Sequence, residues 1–265
     1  MPQAIETRSL TRRFGALTAV DALSLTVQPG EVFGLLGPNG AGKTTTIKML
    51  ITLLPVTAGS ATVAGHDIVA DQRLVRRSIG YVPQLLSSDG ALTARENLDT
   101  SGRLYHIPSG ERRERIADAL EFMGLADVGD SLVRTFSGGM IRRLEIAQAM
   151  LHRPQVLFLD EPTVGLDPVA RRAVWEHVRR LRDREGTTIL LTTHYMDEAS
   201  ELCDRVGIMH LGHLVALGTP DALAADVGAG ATLDDVFTHY TGSDLEEGGS
   251  YRDVARTRRT ARRLG

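Results

Sequence analysis

The run Gly37-Pro38-Asn39-Gly40-Ala41-Gly42-Lys43-Thr44 constrains this chain more than any other feature. It has the spacing G-x-x-x-x-G-K-[ST] and follows the apolar stretch Val32–Leu36, which reads as a buried strand. After it, Ile47, Leu50, Ile51 and Leu54 recur at helical spacing, so a helix is expected over residues 44–54, ending before Pro55. Strand, glycine-rich loop and helix in that order make a phosphate-binding turn. Glycines let successive N–H groups face inward, and the N-terminus of the helix favours the same negative charge. Lys43 is expected to reach the β- and γ-phosphates of a nucleoside triphosphate, and the Thr44 hydroxyl to ligate Mg²⁺.

The lysine is informative in itself. Arginine supplies nearly all the positive charge, and Lys43 and Lys48 are the only lysines in the sequence. A compact ammonium on a flexible stem is not interchangeable with a planar guanidinium, so its retention at position 43 points to chemistry. A second acidic element fits the first. Val156-Leu157-Phe158-Leu159 reads as a buried strand ending in Asp160 and Glu161, at the edge where ligands bind in parallel α/β sheets. Asp160 is expected to hold the magnesium shell and Glu161 to polarise an attacking water. Guanine-reading P-loop proteins use an Asn-Lys-x-Asp element, and outside the phosphate loop this chain has no lysine beyond Lys48, which argues against GTP and leaves ATP.

The remaining pattern gives the organisation. Residues 4–27 alternate in short runs broken by Gly15 and Pro29, as antiparallel strands do. Residues 92–151 change character, with a cap-like Thr93-Ala94-Arg95-Glu96 and amphipathic helices expected over 111–123 and 141–151. They read as a helical insertion in an α/β core whose alternating strands and helices imply a mostly parallel sheet. The net charge of -3 argues against nucleic acid as main partner. No stretch approaches the ~20 apolar residues of a membrane helix, and no secretory signal is read at the N-terminus. Cys203 is the only cysteine, so no intramolecular disulfide can form, and it is expected to be a buried small hydrophobe.

In this order the elements resemble the ATPase subunit of ABC transporters, over roughly residues 4–220. The resemblance rests on residues 37–45, Gln84 after Pro83, Phe136-Ser137-Gly138-Gly139-Met140, residues 156–161 and His194, with Gly165-Leu166-Asp167 at the place of the family's D-loop. It implies that Gly37, Pro38, Asn39, Gly40, Ala41, Gly42, Lys43, Thr44 and Thr45 bind ATP and that Phe14 stacks on adenine. Gln84 would complete the Mg²⁺ and water geometry alongside Thr44 and Asp160, and His194 would contact the γ-phosphate. Ser137, Gly138 and Gly139 would contact the ATP held by a second subunit, in a head-to-tail dimer sandwiching two ATP molecules, and Asp167 of the D-loop would bind nucleotide. Met140 departs from the family's commonest Leu-Ser-Gly-Gly-Gln form, because a thioether cannot supply the glutamine amide.

The form Phe-Ser-Gly-Gly-Met, followed by Arg142-Arg143-Leu144-Glu145, and the later Thr232-Leu233-Asp234-Asp235-Val236-Phe237 are similar to the drug-export branch, particularly ATPases of the daunorubicin-resistance type. The expectation is therefore an ATPase that energises export of an antibiotic or other hydrophobic drug-like molecule. It would sit peripherally on the cytoplasmic face of the membrane with separate multi-span permease subunits. The alternative is a soluble ABC ATPase acting on nucleic acid or ribosomes. The expected fold is a P-loop α/β domain over residues 1–225 with an N-terminal antiparallel β subdomain and a helical subdomain at about 90–152. A short extension over 226–243 and an arginine-rich tail over 244–265 would follow.

Overall fold

The computed structural model describes residues 2–242; the tail expected over 244–265 lies outside the described residues. The N-terminal strands form as the alternation implies. β1 (Ile5–Phe14) and β2 (Leu17–Val27) pair antiparallel. β3 (Val32–Leu36) is buried along its whole length and leads through the glycine loop into α1 (Lys43–Leu50). This helix stops a turn short of the expected end at 54. Thr52 turns left-handed with φ 64°, and the N–H groups of Leu53 and Leu54 both return to the Lys48 carbonyl, closing the helix before Pro55 is reached. β4 (Ala58–Val63) and β5 (His66–Asp67) then complete a four-stranded sheet in the order β2-β1-β4-β5.

A short helix not expected from the sequence, α2 (Gln72–Ser78), precedes β6 (Ile79–Val82). The helices α3 (Ala94–Leu104), α4 (Ser109–Phe122) and α5 (Gly138–Met150) follow, inside the stretch read as an insertion. The cap signal at Thr93 is real: its hydroxyl accepts from the Glu96 amide at 3.1 Å, and the Glu96 carboxylate accepts from the Thr93 amide at 2.8 Å. The chain returns to the core through β7 (Val156–Asp160), α6 (Pro168–Glu185), β8 (Thr188–Thr193), α7 (Met196–Leu202), β9 (Arg205–His210) and β10 (His213–Gly218). It ends in α8 (Pro220–Val227) and α9 (Leu233–Thr241).

The second sheet has six strands in the order β10-β9-β3-β8-β7-β6, all parallel except the β9–β10 pair. Its central strands are apolar without alternation because both faces are covered. Leu36, Leu157, Leu159 and Leu191 face a core shared with the helices of the insertion. Phe33, Leu35, Phe158 and Leu190 face α1 and the antiparallel sheet. Each fully buried side chain of this kind adds about 1.5–3 kcal/mol. The expected boundary at 225 falls inside α8, and α9 buries Leu233, Val236 and Phe237 in the same core as Leu36. Cys203 is buried as expected. Among the described residues no helix is long and apolar enough to cross a membrane.

The parallel arrangement sets the position of the site. β8 lies between β3 and β7, with Leu36 paired to Thr193 and Asp160 paired to Thr192. The loops that leave these three strand ends therefore emerge along one edge of the sheet.

Candidate functional site

The loop after β3 wraps tightly. Gly42, the last residue before α1, has φ 105°, and a Cβ there would stand 2.5 Å from the Ala19 carbonyl oxygen, so both conformation and space demand glycine. Pro38 through Thr45 line a cavity of about 390 Å³ together with Phe14, Gln84 and Glu161. The Gly37 carbonyl accepts from Lys43 Nζ at 2.7 Å and the Pro38 carbonyl at 3.2 Å, which curls the loop around the ammonium. Burial pulls the Lys43 pKa below the usual lysine range, against the opposing pull of Glu161 and then Asp160.

Asp160 and Glu161 divide at the end of β7. Oδ1 of Asp160 accepts from Thr44 Oγ1 at 2.9 Å and from Thr192 Oγ1 at 2.7 Å. Glu161 takes the left-handed conformation, φ 48°, which costs a non-glycine residue about 1–3 kcal/mol. Its N–H is held there by the Thr192 carbonyl at 3.1 Å and the Thr192 hydroxyl at 3.0 Å. The turn sends the Glu161 side chain into the cavity, where three groups meet it. Gln84 Nε2 donates to Oε2 at 2.9 Å, Lys43 Nζ lies 3.3 Å from Oε1, and His194 Nδ1 lies 3.4 Å from the same oxygen. Burial pushes the Glu161 carboxyl up, but the contact with His194 and the charge of Lys43 outweigh it and leave the group below its ordinary range.

Phe14, at the end of β1, is 42% exposed and lines the cavity; the Arg12 guanidinium covers its ring at 4.4 Å from the centroid. The other expected nucleotide-binding residues, Ser137, Gly138, Gly139 and Asp167, stand elsewhere. Ser137 caps α5 by accepting from the Met140 amide at 3.3 Å, and Asp167 caps α6 by accepting from the amides of Val169 and Ala170 at 2.9 Å each. The two helix starts pack closely: a Cβ on Gly139 would stand 2.7 Å from that of Ala170. None of Ser137, Gly138, Gly139 and Asp167 lines the cavity around Lys43.

Thr192 was not anticipated from the sequence. It binds both halves of the Asp160-Glu161 pair, and only its place two residues before His194 could have drawn notice. Thr44 and Asp160, which touch, and Gln84, which lines the same cavity as Thr44, carry oxygens of the hard type that suits Mg²⁺. Among the described residues no cluster of histidine, cysteine and carboxylate has the arrangement of a transition-metal site. The chemistry available is thus phosphate binding on backbone amides and an ammonium, beside a carboxylate held ionised.

Residues 20–164 match the family described as ABC transporter. The chain is 48% identical over 227 residues to the daunorubicin/doxorubicin resistance ATP-binding protein DrrA of Streptomyces peucetius, covering 86% of this chain and 68% of that one. It is 42% identical over 243 residues to the linearmycin resistance ATP-binding protein LnrL of Bacillus subtilis, covering 92% of this chain and 76% of that one. A solved ATP-binding subunit of an ABC transporter superposes with a TM-score of 0.80 at 31% identity, covering 89% of this chain and 99% of that one.

Proposed function

The chain belongs to the ABC transporter family, whose ATP-binding subunits hydrolyse ATP to power transport, and on that premise we propose that it energises export of an antibiotic or another hydrophobic, drug-like molecule. The names of the resistance proteins it resembles support this reading over action on nucleic acid or ribosomes. The observation that carries the catalytic part is the environment of Glu161, a buried carboxylate gripped by Gln84, Lys43 and His194 beside the phosphate loop.

The residues divide the work as follows. The amides of residues 39–45 and the Lys43 ammonium bind the phosphates, and Phe14 offers a ring face to adenine. Thr44, Asp160 and Gln84 would hold Mg²⁺, which when bound neutralises charge on the phosphate oxygens. Glu161 accepts the proton of the attacking water, and Gln84 and His194 orient its carboxylate. A bound triphosphate draws Lys43 toward its oxygens and sets anionic charge near Glu161. Both changes raise the proton affinity of the carboxylate in the substrate complex. Ser137, Gly138 and Gly139, at the N-terminus of α5, face the nucleotide of a second subunit, and Asp167 stands beside that contact. The pair docks on separate membrane-spanning subunits at the cytoplasmic face.

The test is ATP-dependent uptake of daunorubicin into inverted membrane vesicles carrying the chain with its permease. Uptake and phosphate release should both be lost in Glu161→Gln while ATP binding persists. A Glu161→Gln protein that hydrolyses ATP at the wild-type rate would sink the assigned role. Tight binding of duplex DNA at physiological salt, with no membrane association, would sink the transport reading.

A further inference from the structure

The segment that carries Gln84 is fastened to a single helix. After β6 the chain runs along α5, and three side chains on one side of that helix take hold of residues 83–88. Arg142 donates from Nη1 to the Pro83 carbonyl at 2.7 Å and from Nη2 to the Gln84 carbonyl at 2.8 Å. Glu145 Oε1 accepts from the Ser87 amide, from the Ser87 hydroxyl at 3.1 Å and from the Ser88 amide at 3.3 Å. The Ser88 hydroxyl donates to Gln148 Oε1 at 2.8 Å. Arg142 and Glu145 also pair with each other at 2.9 Å, with side chains only 1% and 2% exposed.

A buried ion pair is weak evidence of stabilisation, because apolar side chains of similar volume often serve the core as well or better. What an apolar pair cannot do is grip a main chain. The fork of a guanidinium matches two successive carbonyls, and a carboxylate gathers several donors at one oxygen. Here the pair grips both flanks of a short loop whose first side chain, Gln84, touches Glu161 at 2.9 Å. The same helix starts at Ser137, about one and a half turns before Arg142. A displacement at the helix N-terminus therefore reaches the carbonyl of Gln84 through stiff helix and two charge-assisted bonds.

We propose that Arg142 and Glu145 are positioning residues for Gln84. The Arg142 fork on two carbonyls and the Glu145 oxygen on the Ser87 and Ser88 amides fasten residues 83–88 to α5, so the Gln84–Glu161 contact forms or opens as α5 moves. This rests on the reading above that Glu161 activates water and that the start of α5 meets a partner subunit's nucleotide.

The experiment is steady-state ATP hydrolysis by the full chain in wild type, Arg142→Lys, Glu145→Gln and the double variant Arg142→Met/Glu145→Met. The double variant fills the same space without a grip; its KM for ATP should stay within about twofold while kcat falls at least about tenfold. Arg142→Lys, a point charge that cannot fork two carbonyls, should also lower kcat at unchanged KM. Glu145→Gln keeps the accepting oxygen and should retain most of the rate. Wild-type kcat in the double variant overturns the proposal; should that variant fail to fold, wild-type kcat in Arg142→Lys overturns it instead. Glu161→Gln, run alongside, separates the two failures. If it is inactive while the double variant is active, only the positioning role is wrong; if it hydrolyses ATP normally, the catalytic reading itself is wrong.

Discussion

Thr44 Oγ1 donates to Asp160 Oδ1 at 2.9 Å, joining the start of α1 to the end of a strand 116 residues later. β8 lies between β3, which leads into α1, and β7, which ends in Asp160, and its Thr192 hydroxyl donates to the same carboxylate oxygen at 2.7 Å. Two hydroxyls from different elements thus fix the orientation of one buried acidic group.

The first prediction concerns that arrangement. Thr44→Val keeps the shape of the side chain and removes its oxygen, while Thr192 still holds Asp160. The Mg²⁺ concentration for half-maximal ATP hydrolysis should rise about tenfold or more. Titration of the rate with Mg²⁺ at fixed ATP measures this, and an unchanged midpoint would remove Thr44 from the metal site.

Phe14 tests nucleotide recognition separately from catalysis. Its ring is 42% exposed, so Phe14→Ala should leave the melting temperature nearly unchanged. Loss of an aromatic stacking partner should weaken ATP binding by about 2- to 10-fold. Calorimetry with the Glu161→Gln protein as background, in which turnover should be lost, gives the affinity directly.

The pH dependence of stability should carry the signature of a buried histidine. Burial lowers the His177 pKa from 6.5 to about 4, with Arg143 and Arg180 acting in the same direction and Glu176 against. Between those values the unfolded chain binds the proton and the folded chain does not. The contribution is therefore complete above pH 6.5 and is lost as pH falls toward 4. Thermal melts across this window should show a steeper loss in wild type than in His177→Leu, which has no ring to titrate; parallel slopes would contradict the assignment.

Helix contact supplies a stability test. Gly139→Ala sets a methyl 2.7 Å from the Ala170 Cβ, so the starts of α5 and α6 must separate. The cost should be about 1–3 kcal/mol, read as a lower urea midpoint at unchanged slope. Gly138→Ala meets only the flexible Leu166 side chain, at 3.3 Å, and should cost less.

Much of this molecule is legible in one dimension, for local reasons. Lys43 and its loop, the acidic end of β7 and the cap at Thr93 each consist of contiguous residues whose chemistry and spacing suffice to recognise them. The early end of α1 was not legible, because Leu54 keeps helical spacing while the backbone at Thr52 has already turned left-handed. Nor was the grip of Arg142 and Glu145 on residues 83–88, since charged side chains on a helix normally face water. Their side chains, 1% and 2% exposed, bond instead to the loop of residues 83–88.

The sequence by itself determined that a phosphate loop joins a strand to a helix and that another buried strand ends in two carboxylates. Those properties belong to short segments, and backbone conformation, helix dipole and side-chain type follow from the segments alone. Only the tertiary structure decided that β8 intervenes between β3 and β7, which lets Thr192 bind Asp160 and the amide of Glu161. It also decided that Gln84, Lys43 and His194 converge on one carboxylate. The physical reason is that strand order and helix docking are settled by burial of apolar faces far apart in the chain, and no local pattern records which strand becomes whose neighbour.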